Sequence, residues 1–220
     1  MTVVSKELID GYRKVLSSAS VADACDLIIG KSCFLPPEVQ NRINSKKIVG
    51  PAVTVLETST LEKLPPSHAL DLIDASDAGS VLVISGDVDL SHIAIWGGLM
   101  TAGAVANHFE ATVLNGGVRD GAEIKREYDY PVFATSNVPG TTLGRYKTVA
   151  SMVPVKIGDV VVRPGDIIFG DVDGVVAVPS EFARQVLDEA LSIDKRETEQ
   201  AKLILESGSL KDGLAKYGRI

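Results

Sequence analysis

Residues 81–85 read VLVIS, a run with no charge and a high β-branched content, and no other stretch restricts the fold as much. A strand this apolar has no side to turn toward water, so it belongs in a sheet covered on both faces, the usual setting of parallel strands. The chain around it must supply that cover, and the pattern of its neighbours says how.

Residues 5–16 read as an amphipathic helix with Leu8, Tyr12 and Val15 on one face. Ser20 then stands before a helical run with Asp23 three positions on, the spacing of a capping box. Lys31 to Lys47 is polar and holds Pro36-Pro37, which favours an extended or turning connection. Val49 to Leu56 reads as a strand, and a helix is expected from about Ser67 after Pro65-Pro66. Further strands are expected at Ala111 to Leu114 and at Tyr130 to Ala134. The Gly/Pro/Thr-rich piece from Ser136 to Tyr146, with Arg145, either covers a site or joins strands. Val153 to Val162 and Ile167 to Val178 read as β segments joined by the turn sequence Arg163-Pro164-Gly165-Asp166. A long charged helix is expected from Glu181 to Glu206, most of it a solvated face. No repeat or linker divides the chain. The expectation is one mixed α/β domain over 1–220, with its core at about 18–180 and helical termini.

Composition narrows the function. With 45% hydrophobic residues in 220, one sizeable core is possible, and a net charge of −7 without a basic cluster argues against nucleic acid and membrane surfaces as partners. Leu90 to Phe109 carries no formal charge, but Gly97, Gly98, Gly103, Asn107 and two histidines interrupt it, so a membrane span is not expected. The N-terminus has acidic residues and no long apolar run, which points to the cytoplasm. Cys25 and Cys33 fit no ligand pattern and read as reduced structural thiols.

Chemistry concentrates between Trp96 and Glu123, WGGLMTAGAVANHFEATVLNGGVRDGAE. Gly97 and Gly98 let the next turn aim free N–H groups, including those of Leu99 and Met100, at a carboxylate. Arg119 offers a planar fork of donors for a carboxylate or polarised carbonyl, and Asp120 an oxygen ligand for a hard cation. Asp120 followed by Glu123 equally fits a capping box. Asp87, at the end of the VLVIS strand, is either a site residue or the start of an Asx turn. His68 reads as a capping or packing residue, and His92 and His108 as structural.

The segments WGGLM, NGGVRD, PVFA at 131–134 and VPVKIGDVVVRPGDIIFGDVDGVVAVP at 153–179 together resemble the RraA-like family over about Ser18 to Gly208. That family includes class II 4-hydroxy-4-methyl-2-oxoglutarate aldolases, related oxaloacetate decarboxylases and the RNase E inhibitor that names it. The resemblance implies a layered β/β/α sandwich of the swivelling-domain-like type, assembled as a homotrimer or hexamer. It also implies a lyase that releases pyruvate from a small 2-oxo acid with Mg²⁺ or Mn²⁺. Asp120 would be the metal ligand, and Gly97, Gly98, Leu99, Met100 and Arg119 would bind substrate, Arg119 also being catalytic. Asp23 would order a water, and a glutamate of the C-terminal helix, Glu197 or else Glu199, would reach a neighbouring subunit's site.

One position departs from the family. Its aldolases carry an acidic residue where this chain has Gly98, which leaves open whether aldol cleavage or decarboxylation dominates. The alternative is a non-catalytic regulator of an RNA-degrading enzyme, but the family's namesake lacks the aspartate found here at Asp120. A methyltransferase label also attaches to the family, yet no G-x-G-x-x-G turn follows a strand.

Overall fold

The computed structural model describes residues 4–218, so the ends of the expected 1–220 span lie outside the described residues. In chain order the elements are α1 (Lys6–Tyr12), α2 (Ser18–Ile29), β1 (Gln40–Asn41), β2 (Ile48–Ser59), α3 (Ser67–Ala75) and β3 (Val81–Gly86). Next come β4 (Leu90–Trp96), α4 (Gly98–Ala106), β5 (Ala111–Val118), α5 (Gly121–Glu127), β6 (Val132–Asn137) and β7 (Tyr146–Ser151). The last are β8 (Val155–Ile157), β9 (Val160–Val162), β10 (Ile167–Gly170), β11 (Val175–Val178), α6 (Ala183–Ser207) and α7 (Leu210–Tyr217).

The VLVIS run is β3, and it lies in the middle of the main sheet, whose order is β1-β6-β5-β3-β2-β10-β11. It runs parallel to both neighbours, with Val83 opposite Thr54 of β2 and Val113 of β5. Alternation then divides the side chains. Leu82 and Ile84 enter one core with Val53, Val55 and Leu114, beside residues of α3, α4 and α5, while Val81 and Val83 enter another with Ala52, Val113, Phe133 and the β8–β9 hairpin. Both faces of β3 are therefore dry, as its sequence requires. A third core lies under α1, α2 and α6, against Ile167 and Phe169 of β10 and Val176 and Val178 of β11. The result is a mixed α/β fold with a nearly closed sheet.

β2 is the long strand that bends the sheet round. Its first residues pair antiparallel with β10, its middle parallel with β3, and its last residues antiparallel with β7 across an irregularity at Leu56/Glu57. β4 takes up pairing with β5 at Gly116 to Val118, beyond the point where β3 stops at Leu114. That extension carries Trp96, Gly97 and the start of α4 to the C-terminal end of β5.

Several expectations are corrected. α1 stops at Tyr12 rather than reaching residue 16, although Tyr12 and Val15 are both buried as expected. The cap of α2 is Ser17, whose Oγ accepts from Ser20 N–H at 3.3 Å, so Ser20 is inside the helix and Asp23 does not cap it. The Ser20 hydroxyl instead donates to Asp194 of α6 at 2.5 Å, a partner remote in sequence. Val153–Val162 is a hairpin rather than one segment, turning at Gly158 in a left-handed conformation (φ 59°). Ile167–Val178 is likewise a hairpin, β10–β11. β7 and α7 were not anticipated. The uncharged Leu90–Phe109 stretch is a strand followed by a nine-residue helix, and among the described residues no helix is long and apolar enough to cross a membrane.

Candidate active site

β5 ends where its backbone is pinned to β4, Arg119 N–H donating to Trp96 O at 3.0 Å. Asp120 then adopts the left-handed region (φ 59°, ψ 25°), which a short polar side chain tolerates better than most, and the chain turns into α5. Asp120 holds the N-cap position of α5, yet its side chain makes no capping bond there. Its Oδ2 accepts instead from Gly98 N–H, at 3.0 Å, and so serves the N-terminus of α4. The capping-box reading of Asp120 and Glu123 is thus overturned. The left-handed backbone points the carboxylate across to the neighbouring helix rather than along its own.

Gly97 is in extended backbone (φ −162°) that any residue can adopt, so its lack of a side chain answers to space and not to angle. A β-carbon there would lie 2.8 Å from Asp120 Oδ2 and 3.1 Å from Arg119 Nε. A buried network fixes its carbonyl: Thr101 donates to Gly97 O from both N–H and Oγ1, each at 3.0 Å, and Trp96 Nε1 donates to Thr101 Oγ1 at 2.8 Å. Gly97 has no side chain with which to cap α4, Asp120 takes only the Gly98 N–H, and Thr101 is the first residue to bond back into the helix. The N–H groups of Leu99 and Met100 therefore stay open to a ligand beside Arg119.

Arg119 Nε stands 3.5 Å from Asp120 Oδ2, the two side chains being 42% and 38% exposed. An ion pair so open to solvent adds little to stability. Its interest lies in what it leaves free. Asp120 Oδ2 is engaged by Gly98 and Arg119, whereas Oδ1 has no hydrogen-bond partner among the described residues. No group of three or more His, Cys, Asp or Glu among the described residues forms a closed metal cage. One free carboxylate oxygen at an open surface suits Mg²⁺, which keeps several waters and fills its shell with substrate oxygens.

The structure thus brings together Gly97, Gly98, Leu99, Met100, Arg119 and Asp120. It seats Asp23 and Glu197 elsewhere in the chain, on α2 and α6, which share the third core. Glu197 is exposed and borders a cavity of about 400 Å³ with Leu27, Arg196 and Tyr217. Glu199 is exposed on the same helix. A larger cavity of about 970 Å³ lies at the start of β2 and the end of α3. Asp87 accepts from Thr58 Oγ1 at 3.2 Å, and the Asx turn is made by Asp89, whose Oδ1 accepts from Ser91 N–H at 2.8 Å. His68 is the second residue of α3, its N–H bonded to Thr148 Oγ1, and His92 is hydrogen-bonded with the Tyr146 hydroxyl. The 138–145 loop lies along β4, Ala94 N–H donating to Gly140 O at 2.8 Å.

Sequence reasoning missed Thr101 and the indole of Trp96 as parts of the site. The i, i+4 spacing of Gly97 and Thr101 in WGGLMT was the available signal, because a threonine hydroxyl in a first turn can bond back to that carbonyl.

Comparison with known proteins adds four observations. The family model described as RraA-like, Aldolase/RraA, matches residues 18–177. Protein DlpA of Legionella pneumophila is 34% identical over 198 residues, 88% of this chain, which spans only 31% of DlpA's own length. A protein of Halalkalibacterium halodurans named "Putative 4-hydroxy-4-methyl-2-oxoglutarate aldolase" is 29% identical, with 80% of this chain and 79% of that one covered. Among solved structures, that of an uncharacterized protein from Pseudomonas syringae pv. tomato superposes with a TM-score of 0.87 at 27% identity, covering 98% and 96% of the two chains.

Proposed function

The chain belongs to the RraA-like family, and from that premise we propose that it is a divalent-metal-dependent carbon–carbon lyase that releases pyruvate from a small 4-hydroxy-2-oxo acid, with oxaloacetate decarboxylation as a second activity. The observation that carries the reading is the Asp120 carboxylate, turned by its left-handed backbone onto Gly98 N–H beside Arg119, with Oδ1 left unengaged.

In this reading the substrate's carboxylate and 2-oxo group lie against the open N–H groups of Leu99 and Met100 and the guanidinium of Arg119. A planar guanidinium grips two oxygens at once and so fixes the orientation of the C3–C4 bond. Asp120 would hold Mg²⁺ or Mn²⁺ through Oδ1, and the cation when bound supplies Lewis-acid polarisation of the 2-oxo oxygen. As C3–C4 breaks, charge collects on that oxygen, and Arg119 is already in place to stabilise it without rearrangement. The Trp96–Thr101–Gly97 network keeps the amides aimed at one point. Decarboxylation of oxaloacetate leaves the same enolate, so one binding arrangement serves both reactions.

Asp23 and Glu197 enter this reading through a second copy of the chain, which keeps the trimer or hexamer part of the proposal. A cytoplasmic location also belongs to it. The test is pyruvate release from a panel of 4-hydroxy-2-oxo acids and from oxaloacetate, with and without EDTA. Release that EDTA abolishes and Mg²⁺ or Mn²⁺ restores is expected. An inert protein that instead binds an RNA-degrading enzyme would establish the regulator reading and overturn this one.

A further inference from the structure

Gly98 has a second neighbour of importance. A β-carbon built on it would lie 3.0 Å from Glu123 Oε1, 3.3 Å from Cδ and 3.5 Å from Oε2, so the Glu123 carboxylate rests on the bare Cα of the residue whose N–H holds Asp120. Two carboxylates from one turn of chain thus bracket the first residue of α4. They differ in occupation. Asp120 is bound to Gly98 and faces Arg119, while Glu123 has no hydrogen bond or ion pair among the described residues and is exposed. Nor is Glu123 needed for local structure, since α5 starts without a side-chain cap.

An unengaged carboxylate beside an open anion site is placed to move protons, because it carries no structural bond that protonation would break. We propose that Glu123 is the proton-handling carboxylate of this site and decides its balance between reactions, an inference that rests on the lyase reading above. Acting through one water, Glu123 takes the proton of the substrate's 4-hydroxyl. The O–H electron pair becomes the new carbonyl π bond at C4, and the C3–C4 pair passes to the pyruvate enolate. The same proton then returns through the water to C3, giving pyruvate and leaving the enzyme unchanged. Oxaloacetate has no hydroxyl proton to lose: its C4 departs as CO₂, and only the final protonation of C3 is shared. Aldol cleavage therefore depends on Glu123 at two steps and decarboxylation at one.

The space above Gly98 makes the idea testable in three ways. Glu123→Gln removes the charge and keeps the shape. Gly98→Ala keeps the carboxylate but pushes it off the helix start, and its backbone permits the change because φ there is not positive. Gly98→Asp combined with Glu123→Gln returns a carboxylate to the same place from the other residue. In Glu123→Gln the aldol kcat should fall by about a hundredfold, the ordinary contribution of such a group, and at least tenfold further than the decarboxylase kcat. The acidic limb of its aldol pH profile should vanish. Gly98→Ala should show a weaker form of the same bias, and the double variant should recover aldol cleavage. Mg²⁺ affinity by calorimetry should match the wild type in Glu123→Gln. Equal losses in both reactions, an unchanged ratio, or tenfold weaker Mg²⁺ binding would each overturn the role of Glu123. A wild-type protein inert toward every 2-oxo acid would overturn the lyase reading itself.

Discussion

Gly97 and Asp120 are packed so closely that a β-carbon on the glycine would stand 2.8 Å from the carboxylate's Oδ2. The contact is with a short side chain held by Gly98 N–H, so it cannot swing away cheaply. Gly97→Ala should therefore leave the fold intact, since its extended backbone suits alanine, and displace Asp120 and Arg119 together. A misplacement on the order of 1 Å in such a site costs about a hundredfold in rate. Circular dichroism unchanged with kcat lowered to that degree is the expected result, and full activity would show that the close packing is not required for turnover.

Asp120→Asn separates ligand from architecture. Asparagine is at ease in left-handed backbone, and its amide oxygen can still accept from Gly98 N–H, so the melting temperature should stay within about 2 °C, the change expected of substitutions that break no key contact. Pyruvate release at limiting Mg²⁺ should be lost and Mg²⁺ binding by calorimetry abolished. A variant with wild-type Mg²⁺ dependence would leave Asp120 as a structural acceptor only.

Asp194 is the clamp between α6 and the entry to α2. It is 7% exposed and accepts from Leu16 N–H at 2.7 Å and Ser20 Oγ at 2.5 Å. Asp194→Ala leaves Leu16 N–H unpaired and Ser20 Oγ with only Ser17 Oγ, 3.2 Å away, which should lower unfolding free energy by about 1–3 kcal/mol in urea titrations. Asp194→Asn, with one acceptor oxygen left, should lose less. Equal loss in the two would mean that packing, not hydrogen bonding, is what the residue provides.

Glu57 predicts a pH dependence. Its side chain is 2% exposed, Oε2 has no hydrogen-bond partner, and burial raises its pKa from 4.5 to about 7. Because the folded form holds the proton more tightly than the unfolded one, its cost to stability is absent below about pH 4.5 and grows as pH rises through 7. The whole effect is on the order of 3 kcal/mol. Glu57→Gln should flatten this window, so that wild type and variant converge in melting temperature near pH 4.5 and the variant is the more stable at pH 8. Parallel curves would refute a buried protonated Glu57.

What the sequence determined alone was local. VLVIS could only be a covered strand, Pro65-Pro66 could only precede α3, and most strands and helices, β7 and α7 apart, followed from runs that decide their own state within a few residues. The family, too, was readable from segments quoted in order. The tertiary structure decided wherever a partner lay far along the chain. Ser20 turned from cap to helix interior because Asp194 takes its hydroxyl, and Val153–Val162 split in two because β8 and β9 pair with each other over β3. At the site, sequence named Arg119 and Asp120 and left Asp120 between a cation ligand and a cap on its own helix. The left-handed turn sends it to Gly98 instead, and so leaves Glu123 free above α4. Backbone angle and the room above a glycine are properties of packing, and no spacing of letters encodes them.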